Sequence, residues 1–276
     1  LFLLFLLFFL NILFLLFIRN TIFTININKT MIISISNHKG GVGKTTSTIN
    51  IGAALHKLGY KVLIVDLDAQ ANLTHSLGLE NEEKNIYKTL TEQEEITPLQ
   101  YKENFDIIAS TLDMSAIDIE LSGEAGREFI LKERLSKIKD KYDYILLDTP
   151  PSLGLLTINA FTASDKILIP LQAEYLALQG LKKLSDVIVK VQSRLNQNLE
   201  LAGVFLTQFD SRKVLNREIN TMVNNYFKDK TLQTKIRDNV SLAEAPVNKM
   251  DIFSYDDKSN GAKDYKDLTK EILEIL

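Results

Sequence analysis

The 276-residue sequence has no cysteine and no tryptophan, and only 5 prolines. Without cysteine there is no disulfide framework, no thiolate metal site and no sulfur nucleophile, which agrees with a reducing cytosol. The 3 histidines, His38, His56 and His75, are too scattered to suggest a metal centre. An excess of charge of one sign is missing as well. The formal net charge is -3, so no global basic field exists, and contact with nucleic acid would have to come from a local patch. No internal repeat or Pro/Gly-rich linker divides the chain, and its length fits one α/β domain with a full core.

A long hydrophobic run, by contrast, is present. Residues 1–18 are apolar except for Asn11, long enough for a membrane-spanning candidate. The run lacks a basic leading region, is a monotonous tract of Leu, Phe and Ile, and gives way to a polar stretch at 20–30. The expectation is that residues 1–30 are an apolar extension outside the functional protein and that residues 31–276 form its single domain. The intact mass of the native protein tests this.

From Met31 onward, short β-branched runs alternate with helical patterns, as when crossover helices cover both faces of a parallel sheet. The pattern predicts strands at 32–36, 62–66, 105–109, 144–148, 166–170 and 203–207, and helices at 45–58, 127–139 and 176–195. Gly59 stands where a helix C-cap belongs. The fold class expected is α/β, a doubly wound and mostly parallel sheet. Residues 80–104 are charged and poor in apolar periodicity, and read as a surface excursion with a short helix.

The first strand runs into Asn37, His38 and then Lys39, Gly40, Gly41, Val42, Gly43, Lys44, Thr45 and Thr46. Strand, glycine loop and helix start, in that order, are what a phosphate cradle requires. The glycines let N–H groups turn inward, and the positive end of the helix faces the polyphosphate. Lys44 would neutralise the β- and γ-phosphates, and Thr45 would offer a hydroxyl to Mg²⁺. The other reading is a glycine-rich turn with surface lysines. The second predicted strand ends in Asp66, Leu67, Asp68, Ala69, Gln70, with carboxylates at the edge where open α/β sheets hold ligands. They are either site residues or solvated strand-end residues. The run at 144–147 delivers Asp148 in the manner of a Walker B element, which holds Mg²⁺ through a coordinated water, and Pro150 and Pro151 stiffen the turn after it.

An ordinary P-loop has glycine where this chain has His38, and the extra Lys39 makes the segment KGGVGKTT. It resembles the deviant Walker A motif of the ParA, MinD and nitrogenase-iron-protein superfamily. Three further segments, DLDAQANLTHSLG at 66–78, LDTPPSLG at 147–154 and PLQAEYLALQGL at 170–181, resemble the ParA/Soj partition ATPases in particular, as do LTQFDSR and NVSLAEAP. The likeness spans nearly all of 31–276. It implies a P-loop ATPase using ATP and Mg²⁺, a homodimer closed by ATP with Lys39 reaching its neighbour's phosphates, and slow hydrolysis. It further implies nonspecific double-stranded DNA binding and a stimulating ParB-type partner, for plasmid or chromosome segregation by a cytoplasmic, nucleoid-associated protein. On this resemblance Lys39, Lys44 and Asp68 are catalytic, Asp68 orienting or activating the attacking water. Thr45, Asp66 and Asp148 form the metal environment, and residues 149–154 form a loop that senses the γ-phosphate. Gln208 and Asn239 flank the adenine base, or serve as turn-stabilising polar residues.

For DNA, the resemblance points to arginines on the dimer flank. Arg212, Lys213, Arg217, Lys228, Lys230, Lys235 and Arg237 give 210–240 a local basic excess, of which Arg212 and Arg237 are the candidate contacts. A solvated helix face is the alternative. Asp238 and Ser241 stand where family members usually carry arginines. The last helix, predicted at 263–276 with Leu268, Ile272, Leu273 and Leu276 on one face, mixes Asp, Glu and Lys on the other. That suits a packed terminal helix better than the membrane helix of a MinD-like positioning ATPase, so no membrane partner is expected. A DNA-bound regulator that uses ATP as a switch with negligible turnover is a third reading.

Overall fold

The computed structural model describes residues 30–276 apart from residues 93, 175 and 176. The extension expected at 1–30 thus lies, up to residue 29, outside the described residues. The strands are β1 (Met31–Ile35), β2 (Val62–Asp66), β3 (Leu99–Lys102), β4 (Phe105–Ile108), β5 (Tyr144–Asp148), β6 (Lys166–Gln172) and β7 (Glu200–Thr207), all but β3 rich in Ile, Leu or Val. They make one seven-stranded sheet in the order β3-β4-β2-β5-β1-β6-β7, parallel throughout except where β3 meets β4.

The helices among the described residues are α1 (Lys44–Lys57), α2 (Asn72–Leu77), α3 (Ile86–Thr91), α4 (Ile117–Glu120), α5 (Ile130–Ser136), α6 (Leu155–Ala163), α7 (Ala177–Arg194), α8 (Val214–Phe227), α9 (Val240–Val247), α10 (Ile252–Tyr255) and α11 (Asn260–Ile275). Helix α1 ends as its sequence predicts, with Gly59 at φ 94° just beyond the C-cap Leu58.

Alternation along the central strands assigns the two faces. Leu63 and Val65 join the core that includes Ile145, Leu147 and Ala160, whereas Val62 and Ile64 join the core that includes Ile51, Leu55 and Tyr265. Both faces are therefore covered, which is why these strands read as continuous apolar runs. Helix α11 belongs to the second core: Leu268 is 0% and Ile272 1% exposed, and it packs along α1.

Two predictions need correction. Residues 80–104 are more than a surface excursion: the short helix is there as α3, but β3 adds an antiparallel edge strand. Its half-buried Leu-Gln-Tyr-Lys gives no clean alternation, and its turn depends on Asn104 in the left-handed region at φ 61°. Tyr101 and Lys102 both bond Asp251, which caps α10, so this edge is tied to the body. The helix predicted at 127–139 is α-helical only over Ile130–Ser136, with a 3₁₀ turn at Lys139–Lys141. The other predicted strands and helices fall within a few residues of their expected bounds, whereas α2, α4, α6, α8, α9 and α10 had no predicted counterpart.

Candidate nucleotide-binding site

Register brings the carboxylates together. Asp148 stands opposite Ile35 on one side and Asp66 on the other, so the ends of β1, β5 and β2 converge on one point of the sheet's carboxyl edge. The chain leaving β1 turns through Gly41 at φ 75° and Gly43 at φ 86°, conformations that favour glycine. Apart from each glycine and its immediate chain neighbours, no heavy atom of the described residues lies within 4 Å of where a Cβ would sit on Gly40 or Gly41. The space beside the loop is open to a ligand rather than filled by packing. Helix α1 then starts with no side-chain cap and no acidic residue in its first turn, leaving its N–H groups and positive end available to an anion.

Lys44 is 7% exposed and its Nζ donates to the Lys39 carbonyl at 3.1 Å. Burial lowers the pKa of its ammonium, against the pull of Asp148 and Asp68. Beside it the Thr45 hydroxyl donates to Asp148 Oδ2 at 2.7 Å, and the Thr48 hydroxyl lies 3.3 Å from Asp148 Oδ1. Asp148 is 1% exposed. Burial, and then the neighbouring Asp66, push its carboxyl up to about 8. A hydroxyl and a buried carboxylate side by side beneath an open glycine loop are the hard oxygen donors that Mg²⁺ accepts alongside phosphate and water. The residues present fit both groups.

Asp66 is fully buried. Its Oδ2 accepts from the N–H and hydroxyl of Thr74 at 3.0 and 2.8 Å, and its Oδ1 from the Asp68 N–H at 3.2 Å. Burial raises its carboxyl, the Thr74 bonds opposing. Asp68 is partly exposed, its Oδ1 accepting the Gln70 N–H at 3.0 Å. Val42 is buried, with its carbonyl taking the Thr207 hydroxyl at 2.8 Å, and Thr46 sits in the first turn of α1. Lys39 forms an ion pair with Glu174 of its own chain.

His38 explains itself by packing. A Cβ added to Gly180 would overlap its ring, so the imidazole lies directly on the backbone of α7. A side chain at the usual glycine position is accommodated because Gly180 has none.

Gln208, in the left-handed region at φ 50°, donates to the Gly41 carbonyl at 2.9 Å and accepts from Gln172 at 2.7 Å. Just past it, residues 209–212 with Lys235, Arg237 and Asp238 line a cavity of about 500 Å³. Asn239 follows, its Oδ1 buried without a partner among the described residues, an acceptor ready for an amine donor. Arg212 and Arg237 stand outside the phosphate-loop network. Arg212 is clasped by Asp210 through two bonds of 2.9 Å, and Arg237 by Asp264 at 2.6 Å. Thr48, Thr74 and Glu174 escaped the sequence reading. Only Thr48 carried a signal, one helical turn beyond Lys44 on the same face.

A family model described as an AAA domain matches residues 30–201. The chain is 45% identical to the sporulation initiation inhibitor protein Soj of Bacillus subtilis over 246 residues, 87% of this chain and 97% of that one. It is 43% identical to the chromosome-partitioning ATPase Soj of Treponema pallidum over 253 residues, 90% and 98% of the two chains. Among solved structures it is similar to cobyrinic acid a,c-diamide synthase of Mycobacterium smegmatis with bound ATP analogue and magnesium. There the TM-score is 0.78 at 32% identity, covering 89% of this chain and 95% of that one. With the deviant phosphate loop, the paired carboxylates and this identity along nearly its whole described length, the chain belongs to the ParA/Soj family of partition ATPases.

Proposed function

We propose that residues 31–276 form an ATP-driven switch. ATP and Mg²⁺ bind at the glycine loop, two chains close on the nucleotide, the dimer holds DNA without reading sequence, and a ParB-type partner stimulates hydrolysis to release it. The observation that carries this reading is the Thr45 hydroxyl at 2.7 Å from the buried Asp148, beside the nearly buried Lys44 and beneath a loop with open space on its ligand side.

When bound, Mg²⁺ supplies Lewis-acid polarisation of the phosphoryl oxygens. The chain's own groups do the rest. The N–H groups at the start of α1 and the Lys44 ammonium take the β- and γ-phosphate charge, for which Lys44 exchanges its bond to the Lys39 carbonyl. Thr45 would hold the metal through its hydroxyl and Asp148 through a coordinated water. Asp66, its oxygens occupied by Thr74 and Asp68, supports that environment from behind. Asp68, partly exposed at the mouth, orients the attacking water. Lys39 leaves Glu174 and reaches the phosphates of the partner chain, adding positive charge where negative charge builds up in the transition state. Gln208 and Asn239 flank the base, the free Asn239 Oδ1 matching an exocyclic amine.

Arg212 and Arg237 are the DNA contacts in this reading, with a backbone-only, salt-dependent mode. Each must first be released by its carboxylate partner. The buried Leu268 and Ile272 favour a packed last helix over the MinD-type membrane anchor.

Two variants test the reading. Lys44→Ala should lose ATP binding in a direct equilibrium assay, and Asp68→Ala should bind ATP while losing turnover. Normal hydrolysis by Asp68→Ala would end the catalytic assignment.

A further inference from the structure

Asp68 is held by groups outside the phosphate loop. Its N–H donates to Asp66 Oδ1 at 3.2 Å, and its carbonyl accepts the Ser110 hydroxyl at 2.7 Å and the Ala71 N–H at 2.9 Å. Ser110, just past the end of β4 and 3% exposed, donates its own N–H to the Thr74 hydroxyl at 2.9 Å. That hydroxyl donates in turn to Asp66 Oδ2 at 2.8 Å. The hydrogen bonds close a ring through Asp68, Asp66, Thr74 and Ser110, joining the ends of β2 and β4 to α2. Thr74 and Asp66 are 0% exposed, so water does not compete for these bonds and each polarises the next.

The Asp68 carbonyl accepts from the Ala71 N–H, and the buried Ser110 hydroxyl takes its second lone pair. What it adds is direction. With its N–H and carbonyl both fixed, Asp68 has only its side-chain torsions free, and the carboxylate projects from one place at the mouth of the site.

We propose that Ser110 and Thr74 are positioning residues for ATP hydrolysis, acting through Asp68 to set where its carboxylate meets the attacking water. This rests on the reading of Asp68 as the water-orienting group. Displacing a catalytic group by about 1 Å can cost on the order of a hundredfold in rate, whereas groups that only bind nucleotide are untouched by the ring.

The test compares Ser110→Ala, Thr74→Val and Thr74→Ser with wild type and Asp68→Ala, measuring kcat and KM for ATP with thermal melts alongside. Ser110→Ala should lower kcat by roughly tenfold or more, with KM and melting temperature nearly unchanged. Thr74→Ser, which keeps the hydroxyl, should hold wild-type turnover where Thr74→Val does not. Adding Ser110→Ala to Asp68→Ala should slow it no further, since both act on one unit. Wild-type kcat in Ser110→Ala beside a dead Asp68→Ala would overturn the positioning role alone, as would a loss matched by an equal loss of folded protein. If Asp68→Ala itself turns over normally, the reading of Asp68 fails and takes the proposal with it. Should Thr74→Val not fold, Ser110→Ala decides.

Discussion

Lys39 and Glu174 are joined in an ion pair within one chain, so the lysine that marks this family's phosphate loop points at its own subunit. Glu174 follows the end of β6, where the chain passes toward α7. In the ATP-closed dimer proposed above, the same ammonium would find a stronger partner in the neighbour's phosphates, and the carboxylate would compete for it.

Glu174→Gln removes the competitor. Both side chains are partly exposed, at 35% and 48%, and such pairs contribute about 0–1 kcal/mol. The variant should therefore tighten ATP-dependent dimerisation by at most roughly fivefold, read from the dimer fraction against protein concentration. A weaker dimer would show that Glu174 does not hold Lys39 back.

The buried carboxylates give the ligand-free fold a pH dependence. Burial and Asp66 raise the Asp148 carboxyl from its ordinary 3.8 to about 8. Between these values the folded chain holds a proton that the unfolded chain has released, so stability falls as pH rises through that window. Asp148→Asn removes the slope. Without nucleotide it should melt above wild type at pH 8, with the gap narrowing toward pH 4. Parallel melting curves across this range would contradict the burial argument.

Helix α11 is core. Leu268→Ala should cost about 2–5 kcal/mol in chemical denaturation, whereas Lys270→Ala on the exposed side should stay within about 0.5 kcal/mol. Equal, small effects would mean the helix is not packed as described.

The sheet and the phosphate loop were legible because their signals are local. Buried parallel strands write themselves as unbroken Ile, Leu and Val runs, and the loop needs glycines at fixed spacing from Lys44 and Thr45. What could not be read were partners made by distant segments. Glu174 meets Lys39 across 135 positions and Thr74 meets Ser110 across 36, and no periodicity encodes either contact. Strand β3 escaped because an edge strand buries little, and the helix predicted at 127–139 was too long because Phe129 and Ile138 carry the apolar spacing past both ends of the α-helical segment. Clasping of Arg212 by Asp210, two residues away, was within reach of the sequence as an acid beside a base.

That clasp carries its own expectation for DNA. Arg212→Ala should weaken binding to any duplex and reduce the salt dependence by about one phosphate contact. Asp210→Asn, which frees the guanidinium, should strengthen it, as read by binding titrations at several salt concentrations. Indifference of both variants would remove this surface from the interface.

The decisive measurement is sedimentation velocity of the Asp68→Ala protein with Mg²⁺ and either ADP or ATP, beside the same protein carrying Lys39→Ala. If two chains clasp the triphosphate between them, Asp68→Ala sediments as a monomer with ADP and as a dimer with ATP, and loss of Lys39 returns it to monomer. A species of unchanged mass in both nucleotides, or a dimer indifferent to Lys39, would contradict it.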